Sequence, residues 1–443
     1  MFQWIMLIIA IIVLLILIIK RPLWLMPLLG LAAAVEISTT WFPDLGIVGD
    51  FMGVVSLTRF VSLAIIVAGF GRIVLSGQAR NKLMEMLKNP ITIVLLLYVI
   101  LGGISYFYSE DPQKTLVEIS RLVILFALFI SIVILMDRKH VLLPLRAVHA
   151  GAILLAPLAF YEGITGNLIW QREHLYKEAI LRVNATFVDP NIFARFLILA
   201  LIANLILLVL AKDKWLKIVY IAAFPVLLAE LALTTSRGGV LTLGAILIAA
   251  FVLLPNRKTV LSIIGAALLG GVIIFLANPD TLNKLLNISF DFTATNPQRL
   301  YLWKAALAIF GDHPLLGTGL GSFQHVFMTD YSQFLTVSDG ATVSHTTLLT
   351  IAAELGTVGL IIVAFMWVII LFSLYRLFLR SGEDNYVFYG VNNRYYIGTG
   401  YVLWMLAIFV SSQGEGRFFE EPLLWLSFGM IVVLSIGKNY IKL

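Results

Sequence analysis

The chain has 443 residues, 60% of them hydrophobic and only 13% charged, with a mean hydropathy of +0.98. That composition excludes a soluble globular protein and leaves a helical bundle solvated by a bilayer, with residues 1–443 forming one transmembrane domain. The lack of cysteine excludes disulfides and thiolate chemistry, and a formal charge of +6 scattered through short loops speaks for membrane topology and against nucleic acid as a partner.

The first apolar run, 2–19, has no basic stretch ahead of it and stops at Lys20, Arg21 and Pro22, which reads as an uncleaved anchor. Runs long enough to span follow at 22–37, 55–75, 91–107, 117–136, 141–160, 191–211, 215–235, 238–254, 259–277, 345–379, 395–412 and 422–437. The expected fold is all-α, a polytopic integral membrane bundle of about 12–13 transmembrane helices. Alternate connections are basic, for example Arg72 to Lys88, Arg138 and Lys139, Lys212 to Lys217, and Arg257 and Lys258. Lys and Arg mark cytoplasmic loops, so the intervening stretches 38–54, 103–115, 161–190, around 237, 278–344 and 413–421 face outward. The N-terminus then lies outside and the C-terminus inside.

Within the long extracytoplasmic loop 278–344, Leu300, Trp303, Leu307 and Phe310 recur at helical spacing, with Arg299 and Lys304 off the stripe. This predicts an interfacial helix over 298–310. Charged residues at the membrane edge are costly and therefore candidates for function. Arg237 follows Thr234, Thr235 and Ser236 and precedes Gly238 and Gly239 in a turn with almost no loop. It suits an anionic head group, or else caps the C-terminus of the preceding helix. Arg299 offers a second planar fork of donors, and two arginines from separate segments can clamp a diphosphate.

His345 stands where the long loop re-enters the membrane, with Ser344 expected as N-cap. At a helix N-terminus an imidazole stays neutral and can act as a general base; as a lone interfacial histidine it is a polar anchor. Glu354, nine residues on and about 180° around the helix, is not its direct partner and reads as packing or a contact to a neighbouring helix. Gly317-Thr318-Gly319-Leu320-Gly321 lacks the strand that precedes a nucleotide loop; it is an outward turn that brings backbone close to a ligand or lets the loop double back. Asp189-Pro190-Asn191 is a turn into the span containing Arg195. No carboxylates and histidines have metal-ligand spacing, so a metal-independent site without cofactors is expected.

Taken in order, Phe187-Val188-Asp189-Pro190-Asn191, Thr235-Ser236-Arg237-Gly238-Gly239, Arg299-Leu300-Tyr301-Leu302-Trp303, the stretch from His313 to Phe323, and Ser344-His345 through Leu360 resemble the O-antigen ligase and O-antigen polymerase superfamily. The resemblance covers roughly residues 185–375 as an O-antigen ligase-like core. It implies a GT-C-like bundle in the bacterial inner membrane whose active site faces the periplasm. It further implies a glycosyltransferase that moves glycan from an undecaprenyl-diphosphate donor to a saccharide acceptor, either a lipid A core or a growing polysaccharide. Arg237 and Arg299 are then expected to hold the diphosphate and His345 to be the base, with Arg182, Asp189, Asn191, Arg195, Gly319 and Gly321 binding substrate. One position departs: Thr346 stands where members of the family often carry Asn.

Two other readings compete. A secondary transporter or channel would place charges or broken helices at the bilayer midplane, where only Glu230, Glu354 and His149 come near. A peptidoglycan-type polymerase would use an acidic base on an outer loop, for which Asp291, Asp312 and Asp339 are available.

Overall fold

The computed structural model describes residues 2–43, 56–170, 182–255, 297–334, 344–379, 393–416 and 418–436, together with positions 257, 258, 260–262 and 265. Among them all regular structure is helical: α1 (Phe2–Lys20), α2 (Leu25–Ala32), α3 (Leu57–Leu75), α4 (Gly77–Leu87), α5 (Pro90–Ser105), α6 (Pro112–Leu135), α7 (Leu143–Thr165), α8 (Pro190–Leu210), α9 (Lys214–Leu233), α10 (Arg237–Leu253), α11 (Pro297–Asp312), α12 (Phe323–Thr329), α13 (Thr347–Leu379), α14 (Asn393–Glu415) and α15 (Pro422–Ser435). The protein is an all-α polytopic membrane bundle.

Eight of these helices are long and apolar enough to cross a membrane, or nine if α4 and α5, bent by 77° against each other, form one span. The segments Pro22–Ala32, α10 and α15 are shorter apolar helices. Among the described residues this makes eight or nine full-length candidate spans beside three shorter apolar helices. Apolar runs measure hydrophobicity and not helix: 22–37, for one, opens in a 3-10 turn and ends in another, Glu36–Thr40. Most of the expected span 259–277 lies outside the described residues.

Side chains of α8 are buried almost continuously from Phe193 to Leu207, and those of α15 from Leu423 to Leu434. Helices apolar all round belong in the centre of a bundle, and these two, joined by α14, form the core. By contrast α1 exposes Ile5, Ile8, Ile12 and Ile16, as a lipid-facing helix does. Gln3 at its start bonds Thr40 O, so residue 3 lies at the same end as residues 36–43.

Among the described residues, one end of the bundle gathers the connections 36–43, 105–112, 165–170, 182–190, 233–237, 297–334, 344–347 and 418–422; the described basic connections occupy the other. At that basic end Lys82 of α4, buried, donates to Ile134 O at 3.4 Å and to Met136 O, and Arg138 donates to Val433 O at 3.5 Å and to Ile436 O. These contacts serve the last carbonyls of α6 and α15, which have no partner inside their own helices. Lys82→Met strands the α6 pair, and a loss of about 1–3 kcal/mol is expected in denaturant unfolding of the detergent-solubilised protein.

The long loop packs against the span that follows it. Helix α11 buries Leu302, Ala305, Ala306 and Ile309 against Phe323, Val326, Phe327, Tyr331 and Ala353, whereas Leu307 of the expected stripe is 55% exposed. The buried face is rich in alanine, and small residues let helices approach closely. Segment 345–379 is a single helix from Thr347, but Gly356 (φ +62°, ψ −159°) breaks it. The glycine-rich turn fills the break. Thr318 and Gly319 N–H donate to Ala353 O and Glu354 O at 3.0 and 2.9 Å, while Thr357 and Val358 N–H donate to Pro314 O and Leu315 O at 2.8 and 3.2 Å. Four backbone groups orphaned by the break thus find partners in one loop, as a low-dielectric setting demands.

Candidate functional site

The last turn of α14 is where the candidate segments meet. Helices α10 and α14 run antiparallel, with Tyr395 donating to Leu253 O at one end and Thr242 Oγ1 3.5 Å from Ser411 Oγ towards the other. Arg237, five residues before Thr242, is therefore level with the end of α14. From the long loop, Nη1 of Arg299 lies 4.0 Å from the point where a Cβ on Gly414 would sit. From the start of α13, Thr346 Oγ1 donates to Gln413 O (3.3 Å), Thr347 Oγ1 to Ser412 O (3.2 Å) and Leu348 N–H to Gln413 Oε1 (3.4 Å), which fixes the residues flanking His345. Three segments far apart in sequence are brought to one helix end.

The backbone there is strained. Among the described residues the non-glycine positions with positive φ are Ala185 (49°), Thr235 (48°) and His345 (58°). Each costs roughly 1–2 kcal/mol and persists only where its surroundings over-determine it, a pattern that clusters at functional sites. Two of the three are a catalytic candidate and a residue of the turn that delivers one.

Ser236 caps α10 by accepting from Gly239 N–H at 3.1 Å, which puts Arg237 in the first helical turn, where aligned peptide dipoles favour an anion. The capping alternative for Arg237 belongs to another residue: Arg182 Nε donates to Thr234 O, just past the end of α9, at 3.4 Å. Among the described residues, no ion pair or hydrogen bond engages the Arg237 or Arg299 guanidinium. Ser344 is not the N-cap expected of it, because α13 begins at Thr347; its Oγ instead accepts from Thr346 N–H and lies 2.8 Å from Thr350 Oγ1.

The remaining candidates are engaged within the protein. Arg182 Nη2 and Ser236 Oγ both donate to Asn191 Oδ1, at 2.9 and 2.7 Å. Asp189 caps α8, accepting from Asn191 N–H at 2.6 Å. Arg195 pairs with Glu421 at 2.9 Å, beside Glu36. Gly319 and Gly321 (φ +106° and +80°) face packed protein: a Cβ would come within 2.5 Å of Ser109 and 2.6 Å of Glu118. Of the two uses open to the glycine-rich turn, the loop doubling back is the one found. Glu354 accepts from Phe323 N–H at 3.3 Å, so its contact is with this loop. Tyr331 donates to Asp312 at 2.5 Å, and burial with that contact pushes the phenol up to about 12, so Asp312 is tied into the fold; Asp291 and Asp339 lie outside the described residues.

Burial raises the Glu36 carboxyl above its ordinary 4.5, against the lowering effects of Val188 N–H and Arg195. A raised folded value means that the stability from Glu36 is fully present below the unfolded value and lost as pH rises through the folded one. Glu36→Gln should therefore match the wild-type melting temperature below pH 4.5 and exceed it above, in a thermal scan across that window.

Residues 222–364 match the family model for O-Antigen ligase. That stretch of the chain is similar to the O-antigen ligase family. No curated protein matches the chain. The O-antigen ligase match opens within α9 and closes in α13, so it takes in Arg237, Arg299, both glycines and His345, but neither the Arg182–Asn191 contact nor the end of α14. Sequence reasoning missed that α14 end, whose Ser411-Ser412-Gln413-Gly414 is a polar interruption of an apolar run and the signal that was there to use.

Proposed function

We propose that this O-antigen ligase-type glycosyltransferase moves a glycan from an undecaprenyl-diphosphate carrier to a saccharide hydroxyl, at the bundle end that carries α14's last turn. The observation that carries the reading is the approach of the Arg237, Arg299 and His345 segments to that one turn, with strained backbone at 235 and 345. The basic connections lie at the opposite end, which supports an extracytoplasmic, periplasmic site in the inner membrane.

In this reading an acceptor hydroxyl attacks the anomeric carbon in line and the C–O bond to the diphosphate breaks. The leaving group takes the bonding electron pair, and the two guanidinium forks stabilise the charge that builds on its oxygens. His345 accepts the hydroxyl proton as the new glycosidic bond forms. Neither step asks anything of the packed glycine turn, whose part is to hold the first arm of α13 in place.

The test is His345→Ala in cells whose surface polysaccharide depends on this protein, read on a gel. Loss of the mature polysaccharide is expected. A ladder collapsing to one repeat identifies a polymerase, and full-length chains left on the carrier identify a ligase. A wild-type pattern at normal protein level would overturn the assignment of His345.

A further inference from the structure

The turn that presents Arg237 is held from outside by a second segment. Thr235 is left-handed at φ +48° and has no glycine's freedom to be so. Around it, Ser236 N–H donates to Thr234 Oγ1 at 3.2 Å and Val183 N–H donates to Leu233 O at 3.2 Å. Asn191 Oδ1, in the first turn of α8, then accepts two bonds at once, from Ser236 Oγ at 2.7 Å and from Arg182 Nη2 at 2.9 Å, while Arg182 Nε reaches Thr234 O.

A serine hydroxyl has one proton and two lone pairs. Giving the proton to Asn191 leaves the oxygen to accept from Gly239 N–H, so one bond sets the direction of the next. Asn191 is itself fixed by the Asp189 cap of α8. A core helix thus reaches the first turn of α10 through three polar side chains, all placed before or at the turn and none of them exposed.

We infer that Asn191 and Arg182 are positioning residues for Arg237: their shared hydrogen bonds hold the 234–236 turn in its strained form and so aim the guanidinium of residue 237. The inference rests on the proposed role of Arg237, and it moves Arg182 and Asn191 from direct substrate contact to action through a neighbour. Their bonds to protein are the reason, since Nε and Nη2 of Arg182 already have acceptors.

Asn191→Leu removes the acceptor at similar volume, and Asn191→Asp keeps an oxygen there while turning the Arg182 contact into an ion pair. Full-length protein in lipid nanodiscs is compared by amide exchange at residues 236–239 and by transfer from undecaprenyl-diphosphate-linked glycan. Asn191→Leu should speed exchange at Gly239 about tenfold and lower kcat about tenfold, with KM for the saccharide acceptor unchanged, as loss of the Ser236 bond that orients the cap predicts. Asn191→Asp should behave as wild type in both. In an Arg237→Lys background the Leu substitution should add little.

Wild-type exchange at Gly239 in Asn191→Leu would overturn the inference, as would equal losses in the Asp and Leu variants or losses that multiply with Arg237→Lys. If Asn191→Leu fails to accumulate, Arg182→Met, which removes the bonds to Asn191 and Thr234 and leaves the Ser236 cap in place, is read in the same two measurements with the same losses expected. Unchanged transfer by Arg237→Ala would instead overturn the diphosphate reading, and exchange at Gly239 tells the two failures apart.

Discussion

Replacing Arg237 or Arg299 with alanine should lower kcat for glycan transfer by roughly 10²–10³-fold each, the usual effect of removing one donor aimed at developing charge. The charge in question is that on the departing diphosphate, so the loss should appear in kcat more than in KM for the saccharide acceptor. In the proposed reaction both arginines act on one leaving group, so the double variant should fall well short of the product of the two single losses. Lysine at either position keeps the charge and loses the planar fork, so partial recovery is expected. Arg257, at the basic end beside Phe251, is the control, and Arg257→Ala should transfer at the wild-type rate. Initial rates in proteoliposomes, normalised to protein, check all six.

Alanine at Gly356 should keep the protein from accumulating at all. Its Cβ would lie 2.3 Å from Leu315 O at a backbone φ of +62°, and the obstacle is main chain that cannot swing aside. The strained φ alone costs roughly 1–2 kcal/mol, and moving the loop forfeits the bonds that close the break in α13. Together these exceed about 4 kcal/mol, a large part of the 5–15 kcal/mol that holds a typical protein folded. Gly317→Ala meets Glu354 C at 2.3 Å from the opposite side of the same junction and should fail in the same way. Gly311, with open space around it, should tolerate alanine. Membrane-fraction immunoblots at matched expression give the answer.

The sequence revealed what the bilayer dictates. Hydrocarbon thickness sets the length of an apolar run, so α6, α7, α8, α9 and α14 were legible as elements, and loop charge was legible as two distinct ends. Features made by distant contacts were not. Gly356 reads as an ordinary glycine in an apolar helix until Pro314 and Leu315 supply the carbonyls that its break requires. The face of α11 that packs on protein was not legible, because Leu302, Ala305, Ala306 and Ile309 are a less hydrophobic set than the stripe beside them, and only Phe323 and Phe327 show that they are covered. At the candidate site, the short turn that carries Arg237 was legible from the lack of a loop between two apolar runs. That Arg182 serves the end of α9 was not, because nothing local links residue 182 to 234.

The central claim is that residues 237, 299 and 345 share one end of the bundle around a single ligand. The natural chain has no cysteine, so pairs of cysteines placed at these positions can be spin-labelled without background. Pulsed electron–electron distance measurements in nanodiscs should give all three separations below about 25 Å, shorter than the roughly 30 Å hydrocarbon core. Any pair separated by more than that core would place the residues on opposite leaflets and contradict the account.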